Sequence, residues 1–227
     1  MTKTIILSLL MIGMMRAQTT ANSDKQKFPL DSSKGLELVN VKAEPVNYSG
    51  KNGLQVTAMD GYKKGETLVI IPGVYFKDGV IELELTGEPA PGVPPEMRGF
   101  VGIAFHVGTT DSSNYECFYI RPTNGRADNQ LIRNHSTQYI SHPEYPWFRL
   151  RKESPGMYES YADMMPGEWT KFKIVVKGKT AKLFLHGSDQ PCLVVNDLKH
   201  GITGGRIALW QHFTTLARYR NLVIMSE

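Results

Sequence analysis

Residues Phe100–Val107 read FVGIAFHV, and this stretch decides the fold class. Positions 101, 103, 105 and 107 hold bulky apolar residues, whereas positions 100, 102, 104 and 106 mix small, aromatic and polar ones. Because side chains two positions apart on a strand lie on the same face, this alternation is typical of a β-strand with one face in a hydrophobic core. The stretch Tyr115–Arg121 repeats the pattern, with Phe118 and Ile120 on its apolar face.

Short runs of the same kind fill the chain on both sides of this pair, and helical periodicity is nearly absent. Turn-forming residues, such as those at 77–79 and 203–205, separate the runs. The other clear runs are Leu36–Val41, Leu54–Ala58, Thr67–Ile71, Val80–Leu85, Trp169–Lys177, Ala181–His186, Leu193–Val195, Arg206–His212 and Ala217–Met225. Many short strands without intervening helices predict an all-β, two-sheet antiparallel jelly-roll sandwich.

The second face of the central strands has the composition of a binding groove. Gly102 and Ala104 leave room above the sheet, and we expect aromatic, basic and imidazole side chains around that room. These side chains are Tyr119, Arg121, His106, Trp210 and His212. Flat rings stack on sugars, and the polar groups bind hydroxyls or acidic groups. The alternative is a half-solvated outer face with ordinary cross-strand pairs.

Between Arg121 and Pro166 the strand pattern breaks for about 45 residues. Unstructured loops of this length are uncommon inside a compact domain. The segment is rich in aromatic residues, which argues against a solvated linker. We therefore expect a long irregular insertion that is ordered, packs on the sandwich and carries binding residues.

The insertion and the strand before it also resemble a known superfamily. Residues Tyr115–Asp128 read YECFYIRPTNGRAD, Asn134–Ser141 read NHSTQYIS, and Gly205–Trp210 read GRIALW. These resemble exported jelly-roll proteins of the concanavalin A-like and laminin G-like type, including family-16-glycosidase-like proteins and proteins labelled 3-keto-disaccharide hydrolases. The resemblance covers residues 36–223 and implies a concanavalin A-like sandwich whose function concerns carbohydrate.

One motif of the family-16 glycosidases is missing. Those enzymes carry Glu-x-Asp-x-x-Glu on one strand, whereas the nearest stretch, Glu82–Glu88, lacks the central Asp and spaces its last Glu one residue too far. Because a retaining mechanism needs two carboxyl groups about 5–5.5 Å apart, that mechanism is not predicted here.

Three arginines of the insertion, Arg121, Arg126 and Arg133, lie close together in sequence beside His135. The guanidinium fork binds carboxylate or sulfate in a bidentate way, so their convergence predicts an acidic saccharide as ligand. The alternative is that they order the loop, Arg126 through Asp128 and the others through nearby glutamates. Further candidate binding residues are Asn124, Asp128, Gln130 and Gln138.

His135 is the candidate general base, since an imidazole suits proton abstraction beside a sugar carboxylate, and Tyr139, or alternatively Tyr161, is the candidate proton donor. The alternative for a single histidine is a packing role. No metal-binding spacing such as HxH or HExxH is present, so no cofactor is predicted. Calcium bound by loop oxygens is a weaker alternative, with Asp111, Asn114, Asn124 and Asp128 as its candidates.

The first residues predict export. A basic start, an apolar run at Ile5–Met15 and a small residue at Ala17 form the layout of a signal peptide covering residues 1–17. A flexible leader at 18–33 and the sandwich at 34–227 should follow, in a periplasmic or secreted protein without membrane insertion. Losing Lys3 and Arg16 leaves 24 basic against 22 acidic residues, which argues against a nucleic-acid partner.

Two cysteines, Cys117 and Cys192, lie far apart, and we expect separate thiols, with a disulfide as the alternative. The sequence thus predicts an exported domain that binds an oligo- or polysaccharide, with cleavage by lyase or hydrolase chemistry left open. The alternatives are a non-catalytic lectin-like or adhesion module and an accessory domain without a ligand.

Overall fold

The computed structural model describes residues 24–94 and 96–227. Within these ranges the chain forms fifteen strands, two short α-helices and a one-turn 3-10 helix at Pro122–Asn124. The strands are β1 (Asp24–Phe28), β2 (Glu37–Val39), β3 (Val41–Tyr48), β4 (Lys51–Ala58), β5 (Leu68–Phe76), β6 (Gly79–Pro89), β7 (Val101–Val107), β8 (Tyr115–Ile120), β9 (Thr137–His142), β10 (Glu159–Ser160), β11 (Thr170–Lys177), β12 (Thr180–Leu185), β13 (Leu193–Val195), β14 (Gly205–Gln211) and β15 (Thr215–Ser226). The helices are α1 (Gln130–Arg133) and α2 (Trp147–Glu153).

The strands form two antiparallel sheets that enclose one hydrophobic core. The front sheet has the order β10-β9-β8-β7-β14-β5-β2, and the back sheet has the order β13-β12-β11-β6-β15-β4-β3, with β1 beside β15. Tyr219 of the back sheet donates from its hydroxyl to the Trp210 carbonyl of the front sheet, across 2.6 Å. The predicted all-β, two-sheet antiparallel jelly-roll sandwich is confirmed.

The back sheet follows the alternation that the sequence shows. In β6, Ile81, Leu83 and Leu85 are buried in the core. Glu82 and Glu84 lie on the other face, directly opposite Lys173 and Lys171 of β11. Opposite charges at paired positions stabilise adjacent strands modestly, so this face is suited to solvent.

The front sheet is buried on both faces. Every residue of β7 and β8 is buried, including those that do not face the back sheet. The second face is covered by aromatic side chains of the sheet itself and by the insertion, where Leu150 of α2 is 2% exposed. The front sheet therefore combines a core face with a second face on which polar side chains are held in fixed positions.

Residues Asp24–Phe28 form a strand, so the prediction of a flexible leader at residues 18–33 is wrong for its described part. β1 pairs with the C-terminal half of β15, and Leu30 is 4% exposed. The backbone hydrogen bonds that β1 forms with the edge of β15 hold this segment in place. The predicted signal peptide lies outside the described residues. No helix in the described part of the chain is long and apolar enough to cross a membrane.

The insertion is ordered and packs against the front sheet, and it contains more regular structure than the sequence suggested. β9 and β10 extend the front sheet at one edge. β9 lacks an alternating sequence, and five of its six residues are buried, on both faces of the sheet. α1 and α2 lie in the loops on either side of β9.

Both cysteines are free thiols, as expected. Cys117 is fully buried on β8, in the front sheet. Cys192 precedes β13, in the back sheet, and is partly buried. Burial raises the pKa of each thiol, so neither is a reactive thiolate at neutral pH.

Candidate functional site

A cavity of about 250 Å³, here called the inner cavity, lies where one end of the front sheet meets the insertion. Its walls combine basic, aromatic and apolar side chains, and no acidic side chain of the described residues lines it. The lining residues are Arg98, Phe100, Arg121, Asn124, Ile132, His135, Trp147 and Arg151. They come from the segment before β7, from the 3-10 helix and from both helices of the insertion, so the cavity exists only in the folded chain.

Arg121, directly after β8, is 5% exposed. Its guanidinium donates to the His135 carbonyl at 2.7 Å, the Tyr119 hydroxyl at 2.8 Å and the Gln138 side-chain oxygen at 3.1 Å. It forms no ion pair with a carboxylate in the described part of the chain. Burial lowers the pKa of Arg121, but a guanidinium stays protonated at neutral pH. A buried positive charge with neutral partners therefore borders the cavity.

Arg98 and Arg151 add two further positive charges. The half-buried Arg98 side chain has no bonding partner among the residues that the structure describes. Arg151 of α2 binds one oxygen of Glu159 through Nε at 3.0 Å and Nη2 at 2.6 Å, and its guanidinium lies 4.8 Å from the Trp147 ring centroid. Because three guanidinium groups line the inner cavity and only that of Arg151 is paired with a carboxylate, the cavity is positively charged.

His135 lies at the border of this charge cluster. Its Nδ1 is 2.8 Å from Oε2 of Glu159, at an angle that is poor for a hydrogen bond, so we describe the contact as electrostatic. Burial lowers the pKa of His135, Glu159 opposes this, and Arg151 and Arg121 lower the pKa further. The imidazole is therefore neutral at neutral pH, and no described residue bonds to its Nε2.

Asn124 provides an unsatisfied polar atom in the wall of the inner cavity. The residue is 4% exposed, and its amide nitrogen donates to the His135 carbonyl at 3.3 Å. Its side-chain oxygen has no hydrogen-bond partner among the described residues. A buried polar atom without a partner costs about 1–3 kcal/mol, and this oxygen is enclosed by the protein, so it is not open to a ligand in the cavity.

The room expected above Gly102 and Ala104 is filled by the protein's own side chains, and that expectation of an open groove is wrong. Trp210 and Tyr119 flank Gly102 on the neighbouring strands, and their rings stack over it with centroids 4.8 Å apart. The Trp210 indole also donates to the Tyr115 hydroxyl at 3.1 Å. Trp210 and Tyr119 are 8% and 2% exposed, so their faces are not free for a sugar.

The three arginines of the insertion do not converge. Only Arg121 lines the inner cavity. Arg126 is exposed and binds Asp163 at 2.8 and 3.0 Å, rather than Asp128. Arg133 donates to the Tyr161 hydroxyl at 2.7 Å and lies 4.8 Å from its ring centroid. Both contacts order the insertion, because each joins segments about 30 residues apart in sequence.

Tyr139 lies on the opposite face of the front sheet from His135. Its cross-strand neighbour is Phe118 of the core face, and its hydroxyl donates to Glu116 at 2.5 Å. It is 0% exposed, and burial raises its pKa, so it cannot return a proton to a ligand in the inner cavity. The predicted pairing of Tyr139 with His135 is therefore wrong. Gln138, its neighbour on β9, lies on the correct face and supports Arg121.

The other two candidate histidines lie outside the inner cavity. His106 is near the far end of β7, where its Nε2 lies 2.8 Å from the Lys77 carbonyl oxygen. His212 packs against Phe100 at 5.2 Å between ring centroids and lies 2.7 Å from the Thr214 hydroxyl. Burial lowers the pKa of both, which is typical of neutral packing histidines.

Of the remaining polar candidates, Asp128 and Gln130 are exposed, and Gln130 binds only Asn134, at 2.7 Å. The loop oxygens suggested for calcium do not meet, because Asp111 precedes β8 and Asn124 follows it, about 20 Å apart along the strand. The described residues contain no group of three or more His, Cys, Asp or Glu side chains that could hold a metal ion.

Sequence reasoning did not single out several residues of the cavity wall and the carboxylate paired with one of them: Arg98, Phe100, Ile132, Trp147, Arg151 and Glu159. The last four lie in the insertion, where many polar and aromatic residues compete and the sequence does not distinguish those that face inward. A usable signal was the spacing of Trp147 and Arg151, which places them on one face of a helix. Arg98 carried no such signal.

No protein-family model matches the chain, and no curated protein matches it in sequence. Solved structures share its fold. A Bacillus subtilis protein of unknown function with a galectin-like fold is 14% identical, with a TM-score of 0.55, over 88% of this chain and 94% of that one. This chain has the concanavalin A-like jelly-roll fold. A β-1,3-1,4-glucanase (lichenase) derived from a mouse hindgut metagenome is 12% identical, with a TM-score of 0.50, over 89% and 98% of the two chains.

Proposed function

We propose that the chain binds an acidic saccharide, a uronate or sulfated glycan, in the inner cavity. The observation that carries this proposal is the buried Arg121, whose partners are all neutral, beside Arg98, which has no described partner. Burying a charge without a counter-ion is unfavourable, and a bound carboxylate or sulfate would relieve that cost.

A saccharide is favoured over other anions by the wall around the arginines. Trp147 lines the cavity and is 44% exposed, so part of its ring is available to stack on a sugar. The fold is also that of the glucanase named above, which makes a saccharide the first ligand class to test.

Replacing Arg98 tests this proposal. Arg98→Gln removes a charge from the cavity without separating a described ion pair, so we expect the fold to be kept and uronate affinity to fall about tenfold or more. Calorimetric titration with a panel of uronates and sulfated glycans measures this. Arg149→Gln is the matched control, since Arg149 is an exposed arginine of α2 outside the cavity. An unchanged affinity in Arg98→Gln would contradict the proposal.

A second candidate function is lyase chemistry at the same place, favoured by the neutral His135 with its unbonded Nε2. His135 would take the proton beside the uronate carboxylate, the electron pair would form a carbon–carbon double bond, and the glycosidic oxygen would leave with the proton that the His135 imidazolium gives back. Incubation with each polymer that binds, followed by ultraviolet detection of the unsaturated product, tests this. His135→Ala should abolish product while keeping binding; binding without any product would support a lectin-like module instead.

We also propose that the protein is exported, as its first 17 residues suggest. Expression of the full chain in a bacterium and fractionation of the cells test this. A periplasmic or secreted product whose N-terminus follows Ala17 is expected, and an uncleaved cytoplasmic product would contradict it.

A further inference from the structure

A larger cavity of about 780 Å³, here called the outer cavity, lies next to the inner one. His135 and Arg151 line both cavities, so the two are adjacent at these side chains. The other lining residues of the outer cavity are Leu131, Asn134, Pro155, Gly156, Glu159, Ser160 and Tyr161. Together the two cavities are at the upper end of the range for ligand sites, about 300–1,000 Å³, which is more than a single acidic group needs.

The outer cavity differs from the inner one in charge. Its charged side chains are Arg151 and Glu159, and these pair with each other. The rest of its lining is apolar or neutral and polar, and two of the apolar groups are well exposed: Leu131 at 66% and Tyr161 at 38%. Such a surface suits the ring faces and hydroxyls of sugar units, whereas the inner cavity suits the acidic group.

The wall of the outer cavity is held in place before any ligand binds. Arg133 fixes Tyr161 by stacking on its ring and by donating to its hydroxyl at 2.7 Å. Asp163, two residues after Tyr161, accepts hydrogen bonds from Nε and Nη2 of Arg126. An aromatic wall whose position is fixed loses little conformational entropy when it binds a ligand.

We infer that the site recognises a chain rather than a single sugar: the acidic group of one unit lies in the inner cavity, and the following units cross the outer cavity against Leu131 and Tyr161. This inference rests on the proposed function, because it takes the inner cavity as the anion site. Its ligand class is an oligosaccharide of three or more units that contains uronic acid.

Titration with uronic acids of increasing length tests the inference. The probes are galacturonate, glucuronate, mannuronate and guluronate, each as the monomer and as oligomers of two to four units. We expect the dissociation constant of the preferred uronate to fall about tenfold or more between monomer and trimer. The double variant Leu131→Ala, Tyr161→Ala should lose most of this gain and keep the monomer affinity.

Phe148→Ala is the matched control, since Phe148 is exposed on α2 at 60% and lines neither cavity. Affinities that do not depend on length, or a double variant that weakens monomer and trimer equally, would overturn the chain inference while the acidic site stands. Binding of none of these uronates by the wild type would overturn the inference, and failure to bind the sulfated glycans as well would overturn the proposed function.

Discussion

His135 lies among one carboxylate and two guanidinium groups, and the balance between them sets its pKa. Burial is the main cause of the lowered pKa, since it disfavours the charged imidazolium. Glu159 raises the pKa, and Arg151 and Arg121 lower it. Because the pKa is lower in the folded than in the unfolded chain, neutral His135 supports folding above about pH 6.5, and this support is lost as the pH falls.

Removal of Arg151 should shift this balance. In Arg151→Gln the positive charge disappears and Glu159 keeps its 2.8 Å contact with His135, so we expect the pKa of His135 to rise. Nuclear magnetic resonance of the imidazole protons across a pH titration measures it. Arg149→Gln, on the same helix, should leave the pKa unchanged. An unchanged pKa in Arg151→Gln would show that burial and Glu159 set the pKa without Arg151, and a lower pKa would contradict the proposed balance.

Single residues also show where prediction from sequence stops. Arg121 and His135 were predicted as site residues, and the structure places both at the inner cavity. The partner of Arg126 was not predictable, because Asp163 lies 37 residues away and nothing in the local sequence marks it over Asp128. Ion pairs between loops depend on the path that each loop takes, and periodicity in the sequence does not predict that path.

At the scale of strands, Gly102 decides how the front sheet packs. A Cβ at this position would lie 2.1 Å from the Phe118 carbonyl oxygen and 2.6 Å from Cα of Tyr119, both backbone atoms of the adjacent strand. The hydrogen atom in place of a side chain lets the Tyr119 and Trp210 rings meet over the residue. Tyr119 in turn supports Arg121.

We therefore expect Gly102→Ala to lower the free energy of unfolding by about 1–3 kcal/mol or more, since backbone of the neighbouring strand must move. Urea unfolding followed by circular dichroism measures this loss. Ligand affinity should fall as well, through the displaced Tyr119. Stability equal to that of the wild type would show that the sheet adapts at no cost and that Gly102 is not the cause of the ring stack.

Strand prediction worked where bulky apolar residues alternate with charged, small or aromatic ones. This holds for β6, which has a solvent face, and for β7 and β8, which are buried on both faces. β9 was not recognisable, since the polar Thr137 and Ser141 lie on the same face as Tyr139 and break the alternation. The inner cavity lies beside β9, so the strand that was missed is next to the site.

For the whole molecule, the N-terminal strand is part of the sandwich. β1 pairs with β15 from Asp24↔Ser226 to Phe28↔Leu222, and the Pro29 carbonyl accepts from the Asn221 backbone amide. A chain that starts at Lys34 should therefore unfold at a lower temperature than one that starts at Asp24, because the C-terminal half of β15 loses β1 and keeps only β6 beside it. Differential scanning calorimetry of the two chains measures the difference. Equal melting temperatures would mean that β1 contributes nothing to stability.

The two-sheet architecture was predictable because most strands show hydrophobic alternation in their own local sequence. The inner cavity was only partly predictable, since its walls come from four separate segments between Arg98 and Arg151. The arginines of the insertion predicted an acidic ligand, but the structure was needed to show which arginines line the same cavity.

The central claim is that the carboxylate of a saccharide binds beside Arg121. Its most direct test compares one oligouronate with its methyl ester, which keeps the sugar rings and removes the charge, by calorimetric titration of the wild-type protein. We expect the acid to bind about tenfold or more tightly than the ester, and this preference to decrease as salt is added. Equal affinity for the acid and the ester would contradict the account.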